Sequence, residues 1–273
     1  MFDNPLAPPA NQQLLAAFLD RLRLPADLPA REQLRAIATA FAQLPYENLT
    51  KIIKDHEAGH ASRAKRLPDE VLADHWAHGS GGTCFSLTAT LLHLVRALGW
   101  QAEPLLADRR YGADTHCALV VWIDGQPHLL DPGYLIVDPR PLNTGQETRV
   151  PTAFNTLVLT PQASGDRLAL STISQGRTTY RLTFKTAPAD AGAFLRAWEA
   201  SFAWDMMHYP VLTRLCGDRQ LYLQGGRFQV RSLSSVARRE IPPDQCAARI
   251  VTEFGLAPQI VTRALAILKQ QRR

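Results

Sequence analysis

A change of hydrophobic period at Gly99 restricts the fold more than any other feature of the chain. Ahead of it, apolar residues recur at helical spacing. Leu14, Leu15, Phe18 and Leu22 mark one face, and Leu34, Ile37, Ala38 and Phe41 mark a second. Leu87, Leu91, Leu94, Val95 and Leu98 mark a third, in a helix over Phe85–Leu98 that Gly99 can close. A shorter helix is expected from Asp69 to Trp76, after Leu67-Pro68. Behind Gly99 the segments 117–123, 127–131, 156–160, 167–173 and 179–185 are rich in Val, Leu, Ile, Thr and aromatics between turn residues, which predicts strands. Helical character returns at 190–206. A hairpin follows in which Gly225-Gly226 join Gln220–Gln224 to Arg227–Arg231, and then helices over 243–254 and 258–270. Helices, then antiparallel strands, then a mixed tail predict an α+β chain rather than a doubly wound sheet.

At 273 residues and 46% hydrophobic content the chain can bury a large core, as one domain or as two to three packed together. The net charge of +5 suits an anionic ligand, but the basic residues are dispersed and the Lys269–Arg273 tail is short. A solvated basic surface is therefore expected, with no nucleic-acid partner; a phosphate-bearing co-substrate fits the charge. Cys84, Cys117, Cys216 and Cys246 form no CxxC pair, so neither a disulfide scaffold nor a cysteine zinc site is expected. The N-terminal stretch has no signal-peptide pattern, and no apolar run is long enough for a membrane span. These readings predict a reduced cytoplasmic protein without membrane association, and they leave the oligomeric state open.

Cys84 follows Gly81-Gly82-Thr83 and opens the helix that ends at Gly99. A thiol is a good nucleophile as thiolate, which a helix N-terminus stabilises and an imidazole can generate. The backbone N–H groups there could also donate to an oxyanion. The base can be located by register. If Asp124-Gly125 form a type I′ turn, Ile123 faces Gln126 and Asp131 faces Ala118. His116, two residues from Ala118, then points to the same side as Asp131. A slip of one residue would separate the two. Cys84, His116 and Asp131 are thus the candidate nucleophile, base and orienting carboxylate.

In these segments the chain resembles the arylamine N-acetyltransferases. Leu44-Pro45-Tyr46-Glu47-Asn48-Leu49 is similar to the family's Pro-Phe-Glu-Asn-Leu segment. Gly81-Gly82-Thr83-Cys84-Phe85 is similar to its Arg-Gly-Gly-aromatic-Cys-Phe segment, and Thr115-His116 with Asp131-Pro132-Gly133-Tyr134 to its Thr-His…Asp-Val-Gly-Phe-Gly segment. The specific likeness covers roughly residues 40–135. It implies an N-terminal helical bundle (1–99, ending in the nucleophile helix), a central antiparallel β-barrel (100–187) and a C-terminal α/β lid (188–273). It also implies ping-pong transfer of an acetyl or other short acyl group from acetyl-CoA or another acyl-CoA, by way of acyl-Cys84, to a small-molecule amine. The chain departs from the family pattern at Ser80, in place of Arg, and at Thr83, Ser86, Thr88, Pro132 and Leu135. The chain would be a divergent member, with the acyl group, the acceptor and the coenzyme-binding residues unassigned.

Other chemistries share parts of this pattern. His56-Glu57-Ala58-Gly59-His60 is a literal HExxH zinc motif, but charged residues flank it and Gly59 weakens a helix, so a solvated loop and no metal are expected. His75 and His78 are expected to be packing and surface residues. Trp198, Phe202 and Trp204 could contribute to a cleft, although core packing is the simpler expectation. A transglutaminase-like or amidase-type thiol enzyme could use the same triad, and a non-catalytic binding protein could keep the fold.

Overall fold

The computed structural model describes residues 4, 6–9, 11–25, 27–142 and 145–271. Met1–Asp3 and Arg272–Arg273, the outer ends of the segments used above for targeting and charge, lie outside the described residues. Helices α1 (Gln13–Leu22) and α2 (Ala30–Phe41) bury Leu15, Phe18, Leu34, Ile37, Ala38 and Phe41, and the Phe18 and Phe41 rings meet edge to face at 6.2 Å. A two-residue strand, β1 (Tyr46–Glu47), and helix α3 (Leu49–Ala58) follow. Helix α4 (Pro68–His78) starts on a proline that needs no N–H partner, carries Asp69 and Glu70 in its first turn, and stops at Gly79 with φ 65°. It extends beyond the expected Asp69–Trp76 span at both ends.

Helix α5 (Cys84–Ala97) departs from simple amphipathicity. Ser86, Thr88, Thr90 and His93 are buried along with Leu91, Leu94 and Val95. Helices α1, α2 and α4 pack on it from one side and β-strands from the other, so it is enclosed all round. Thr90 Oγ1 donates to the Ser86 carbonyl at 2.7 Å and Ser86 Oγ to the Thr83 carbonyl at 3.0 Å, whereas Thr88 Oγ1 donates across to the Cys117 carbonyl at 3.3 Å.

Among the described residues, the first eight strands behind Gly99 form one antiparallel, nearly closed barrel-like sheet. They are β2 (Ala102–Arg109), β3 (Gly112–Ile123), β4 (Gln126–Asp131), β5 (Ile136–Pro141), β6 (Thr148–Pro151), β7 (Thr156–Pro161), β8 (Arg167–Ser174) and β9 (Arg177–Lys185), ordered β5-β4-β3-β2-β9-β8-β7-β6. Alternate residues fill the interior, among them Leu105, Ala118, Val120, Leu129, Leu170 and Phe184. Strand β3 is buried on both faces, because Leu119 and Val121 pack on the helices, which is why 117–121 reads as a continuous apolar run. The β3–β4 register is the one predicted: Asp124 and Gly125 have φ 51° and 73°, Ile123 faces Gln126 and Leu119 faces Leu130. Strands β2, β5 and β6 fall outside the expected set. Glu103-Pro104 interrupts the pattern of β2, Pro139 and Pro141 that of β5, and β6 is short.

In the tail, the expected 190–206 helix is α6 (Ala191–Ala200) followed by two 3₁₀ turns. The Gly225-Gly226 hairpin belongs to a second sheet, β1-β10-β11-β12-β13, with β10 (Val211–Cys216), β11 (Arg219–Gln224), β12 (Arg227–Arg231) and β13 (Val236–Glu240). The expected 243–254 helix is a 3₁₀ turn, the short α7 (Cys246–Arg249) and a π-turn to Phe254; α8 (Pro258–Gln271) follows as expected. Leu212, Leu221, Leu223 and Phe228 on one face of this sheet pack with Leu49 and Ile52 of α3 and Val261 and Ala264 of α8. The opposite face, with Thr213, Tyr222, Gln229 and Arg231, looks into a cleft shared with the barrel. No helix among the described residues is long and apolar enough to cross a membrane.

Candidate active site

The loop before Cys84 is shaped by close backbone approach. The Glu47 N–H donates to the Gly82 carbonyl at 3.0 Å, joining β1 to the loop. A Cβ on Gly81 would overlap the Pro45 backbone carbonyl, so only glycine fits there, and one on Gly82 would displace Ser86 Oγ. Arg66, almost fully buried, ties the loop from below. Its Nη1 donates to the Gly81 carbonyl (2.6 Å) and to Thr50 Oγ1 (2.7 Å), and its Nη2 to Asp74 Oδ2 (2.7 Å). Its Nη1 also lies 3.7 Å from Glu47 Oε1, a fully buried carboxylate. Ser80, at the departure from the family pattern, is buried with its hydroxyl unpartnered, so the cation that holds this loop comes from position 66. Thr83 is extended (φ −89°, ψ 172°) and releases the chain into α5 with Cys84 as the first helical residue.

His116 and Asp131 meet as the register predicted. His116 Nε2 lies 2.7 Å from Asp131 Oδ2, and both side chains are buried. The imidazole stands edge-on to Tyr134 (5.2 Å between centroids) and Phe184 (6.1 Å). After Asp131 the turn Pro132–Tyr134 folds back, and Leu135 takes φ 61°. Gly133 lets that turn close over the pair, since a Cβ there would come 3.1 Å from Asp131 Oδ1.

The charges at this point are unusual. Hydrogen bonding from the Cys117 thiol is the strongest influence on Cys84. Together with the hydrogen bond and charge of His116 and the Arg109 cation, it holds the Cys84 pKa well below the ordinary thiol value, against the effect of burial. Burial, then the bond to Cys84, pushes Cys117 up, so that it remains a neutral donor; its Sγ also lies 3.3 Å from Thr88 Oγ1. Burial is the largest influence on His116 and opposes its charging. The charge and hydrogen bond of Asp131, with the hydrogen bond to Cys84, outweigh burial and raise the pKa. Arg109 Nη2 sits 3.4 Å from His116 Nδ1 and can only donate, which serves the neutral ring. The shorter, charge-assisted bond to Asp131 outweighs that contact, so the lowered Cys84 and the raised His116 both shift in the direction that favours a thiolate beside an imidazolium.

Cys84, His116 and Asp131 open into a cleft of about 1030 Å³ between the barrel and the second sheet. Sequence reasoning missed Arg66, Arg109 and Lys51. Lys51 is buried, with Nζ bonded to the Ser201 carbonyl (2.8 Å), and burial brings its pKa down to about 8. For Arg109 the available signal was its place seven residues before His116 on the preceding strand of a hairpin; Arg66 had none. Of the aromatic candidates, Trp198 is core and stacks on Phe85, whereas Trp204 lines the cleft. His75 Nδ1 bonds the Ser80 carbonyl at 2.9 Å, and His78 lies at the surface beside Gln259. The HExxH segment is not a plain loop. His56 and Glu57 finish α3, Gly59 stops it at φ 65°, and His60 lies beyond, bonded to Ser62, so the two imidazoles do not share a helix face. Glu57 pairs with Arg263.

A family model described as N-acetyltransferase matches residues 31–261. Among solved structures, the arylamine N-acetyltransferase of Mycobacterium abscessus superposes with a TM-score of 0.77 at 19% identity, covering 96% of this chain and 99% of that one. The Mycobacterium marinum arylamine N-acetyltransferase in complex with CoA gives 0.75 at 19% identity, covering 94% and 98%. A Bacillus cereus arylamine N-acetyltransferase, described as having a unique Cys-His-Glu catalytic triad, gives 0.69 at 16% identity, covering 89% and 98%. A sequence search of curated proteins found no match. At these identities the likeness establishes a shared fold.

Proposed function

We propose that this chain, which belongs to the N-acetyltransferase family, moves an acetyl or other short acyl group from a coenzyme A thioester to a small amine through acyl-Cys84. The observation that carries the reading is the buried 2.7 Å His116–Asp131 bond beside a depressed-pKa thiol at the head of α5. Cys84 thiolate attacks the thioester carbonyl carbon while the carbonyl electron pair moves to oxygen. The unpaired N–H groups and positive dipole end of α5 are the donors available to that oxygen. Collapse breaks the bond to the coenzyme's sulfur, which leaves with the proton His116 carried. The acceptor amine then attacks acyl-Cys84, His116 takes its proton, and release of the amide restores the thiolate–imidazolium pair. Asp131 keeps Nε2 protonated and holds Nδ1 toward the sulfur side.

Support for an aromatic acceptor comes from Tyr134, Tyr222 and Trp204 in the cleft wall and from relatives described as arylamine acetyltransferases. Four free cysteines, Cys84 among them, support a reducing compartment such as the cytoplasm. The test is intact-protein mass spectrometry after incubation with acetyl-, propionyl- and malonyl-CoA. A single acyl adduct, lost in Cys84→Ala, is expected; no adduct with any donor, or one that survives Cys84→Ala, refutes the reading.

A further inference from the structure

Besides Arg214, the cleft wall carries two arginines that the chemistry above does not use, Arg181 and Arg231. In β8–β9, Leu170 pairs with Leu182 and Ser171 with Tyr180, leaving Arg181 as the extra residue of a β-bulge. Leu182 points into the barrel core, and the bulge frees Arg181 from strict alternation so that it lines the cleft. There its Nε donates to Thr172 Oγ1 at 2.8 Å, which fixes the guanidinium plane. Arg231 ends β12 on the second sheet, opposite Gln220, and lines the same cleft. Its Nε is buried without a partner.

The two guanidiniums come from different sheets and line the same cleft. Burial first, and then the charges of Arg181 and Arg238, pull the Arg231 pKa down. Among the described residues, no carboxylate lies within ion-pair distance of either Arg181 or Arg231. Apart from Asp131, which is bonded to His116, the acidic residue on the cleft wall is Asp205. Two partly buried cations on one cleft, without a carboxylate partner and with an unsatisfied donor on Arg231, are unfavourable in the empty protein and favourable around an anion. Two planar forks that approach from separate walls suit an anion with several oxygens, and phosphate is matched this way by arginine. A carboxylate has two oxygens and is satisfied by one fork.

We propose that Arg181 and Arg231 form a phosphate-binding subsite that grips the phosphates of the acyl-CoA donor. The inference rests on the coenzyme A reading above, and Gln220, Gln229 and Tyr222 on the adjoining sheet face supply further polar groups. The test is calorimetric titration of the purified protein with coenzyme A and, separately, with pantetheine, which lacks the phosphates. Wild type binds coenzyme A at least tenfold more tightly than pantetheine. Arg181→Gln and Arg231→Gln each weaken coenzyme A about tenfold or more, leave pantetheine unchanged, and Arg231→Lys recovers part of the loss. Equal binding of the two probes to wild type, or equal loss of both in the variants, overturns the subsite. So does unchanged coenzyme A affinity in the variants with weakened 4-aminobenzoate binding, which would assign the arginines to the acceptor. Mass spectrometry of wild type with acetyl-CoA separates the two claims. An adduct on Cys84 with normal coenzyme A binding by the variants removes the subsite alone, whereas absence of an adduct with every donor removes the donor reading as well.

Discussion

Replacing Arg66 by Met removes the cation that holds the Gly81–Cys84 loop while keeping much of the side-chain volume. Arg66 is 3% exposed and Glu47 is 0% exposed. The substitution strips the 2.6 Å bond to the Gly81 carbonyl and the 2.7 Å bonds to Thr50 and Asp74, and leaves the Glu47 carboxylate with Thr50 as its partner. Removing one member of a buried charge pair costs about 3–5 kcal/mol, which in a chain of this size lowers Tm by about 6–20 °C. Much of that cost is the stranded carboxylate, so adding Glu47→Gln to Arg66→Met should recover a substantial part of the lost Tm. The loop also positions Cys84, and displacement of a nucleophile by about 1 Å can slow a reaction about 100-fold. The assay is thermal unfolding of wild type, both single variants and the double variant, with the rate of Cys84 acylation measured on each. A Tm shift below about 2 °C for Arg66→Met, less than that expected from 1 kcal/mol, would refute the clamp. A double variant less stable than Arg66→Met alone would refute the stranded-charge argument.

Asp131→Asn keeps the shape of the site but loses the charge that holds His116 protonated, so Cys84 acylation should slow by about 10³–10⁴-fold with the fold intact, as a mass-spectrometric time course would register; slowing of less than about tenfold contradicts the assignment. Because Cys84 is depressed and His116 raised, iodoacetamide should alkylate Cys84 at pH values well below the ordinary thiol range, with the rate falling only as pH drops through the depressed Cys84 pKa. Cys117→Ala removes the largest lowering influence and should move that inflection upward; an unmoved inflection excludes Cys117 from the thiolate's hydrogen-bond shell. Gly81→Ala places a methyl against the Pro45 carbonyl and should cost about 1–3 kcal/mol by thermal unfolding, and a neutral result would mean the β1–loop contact is looser than the structure has it.

The parts of this protein that were legible in the sequence are those that a local period or a turn determines. The two-residue turn at Asp124-Gly125 fixes every pair in its hairpin, which is why His116 and Asp131 could be placed on one face and are bonded at 2.7 Å. Gly81-Gly82 ahead of an apolar run marked the head of α5. What remained hidden depends on long-range assembly. Strand β2 looks unlike a strand because Pro104 and Glu103 interrupt it, and its place is set by pairing with both β3 and β9. Helix α3 has few apolar residues because it packs along a narrow stripe, with Lys51 buried against Ser201 about 150 positions away. Arg66 and Arg109 reach the site from segments whose local sequence has no periodic signature. Arg66, 14 positions from Ser80, donates to the Gly81 carbonyl beside it, a long-range contact that no local pattern around position 80 announces.

The central claim is that acyl transfer proceeds in two separable half-reactions through Cys84, and a chase experiment addresses it most directly. Wild-type protein acylated by a coenzyme A thioester is desalted free of donor and product and then mixed with a small arylamine, with protein mass and amide both followed. The account predicts that the adduct mass disappears from Cys84 as one equivalent of amide appears, with no coenzyme present. An adduct that persists in the presence of amine, or amide that forms only when donor and amine are present together, would contradict it.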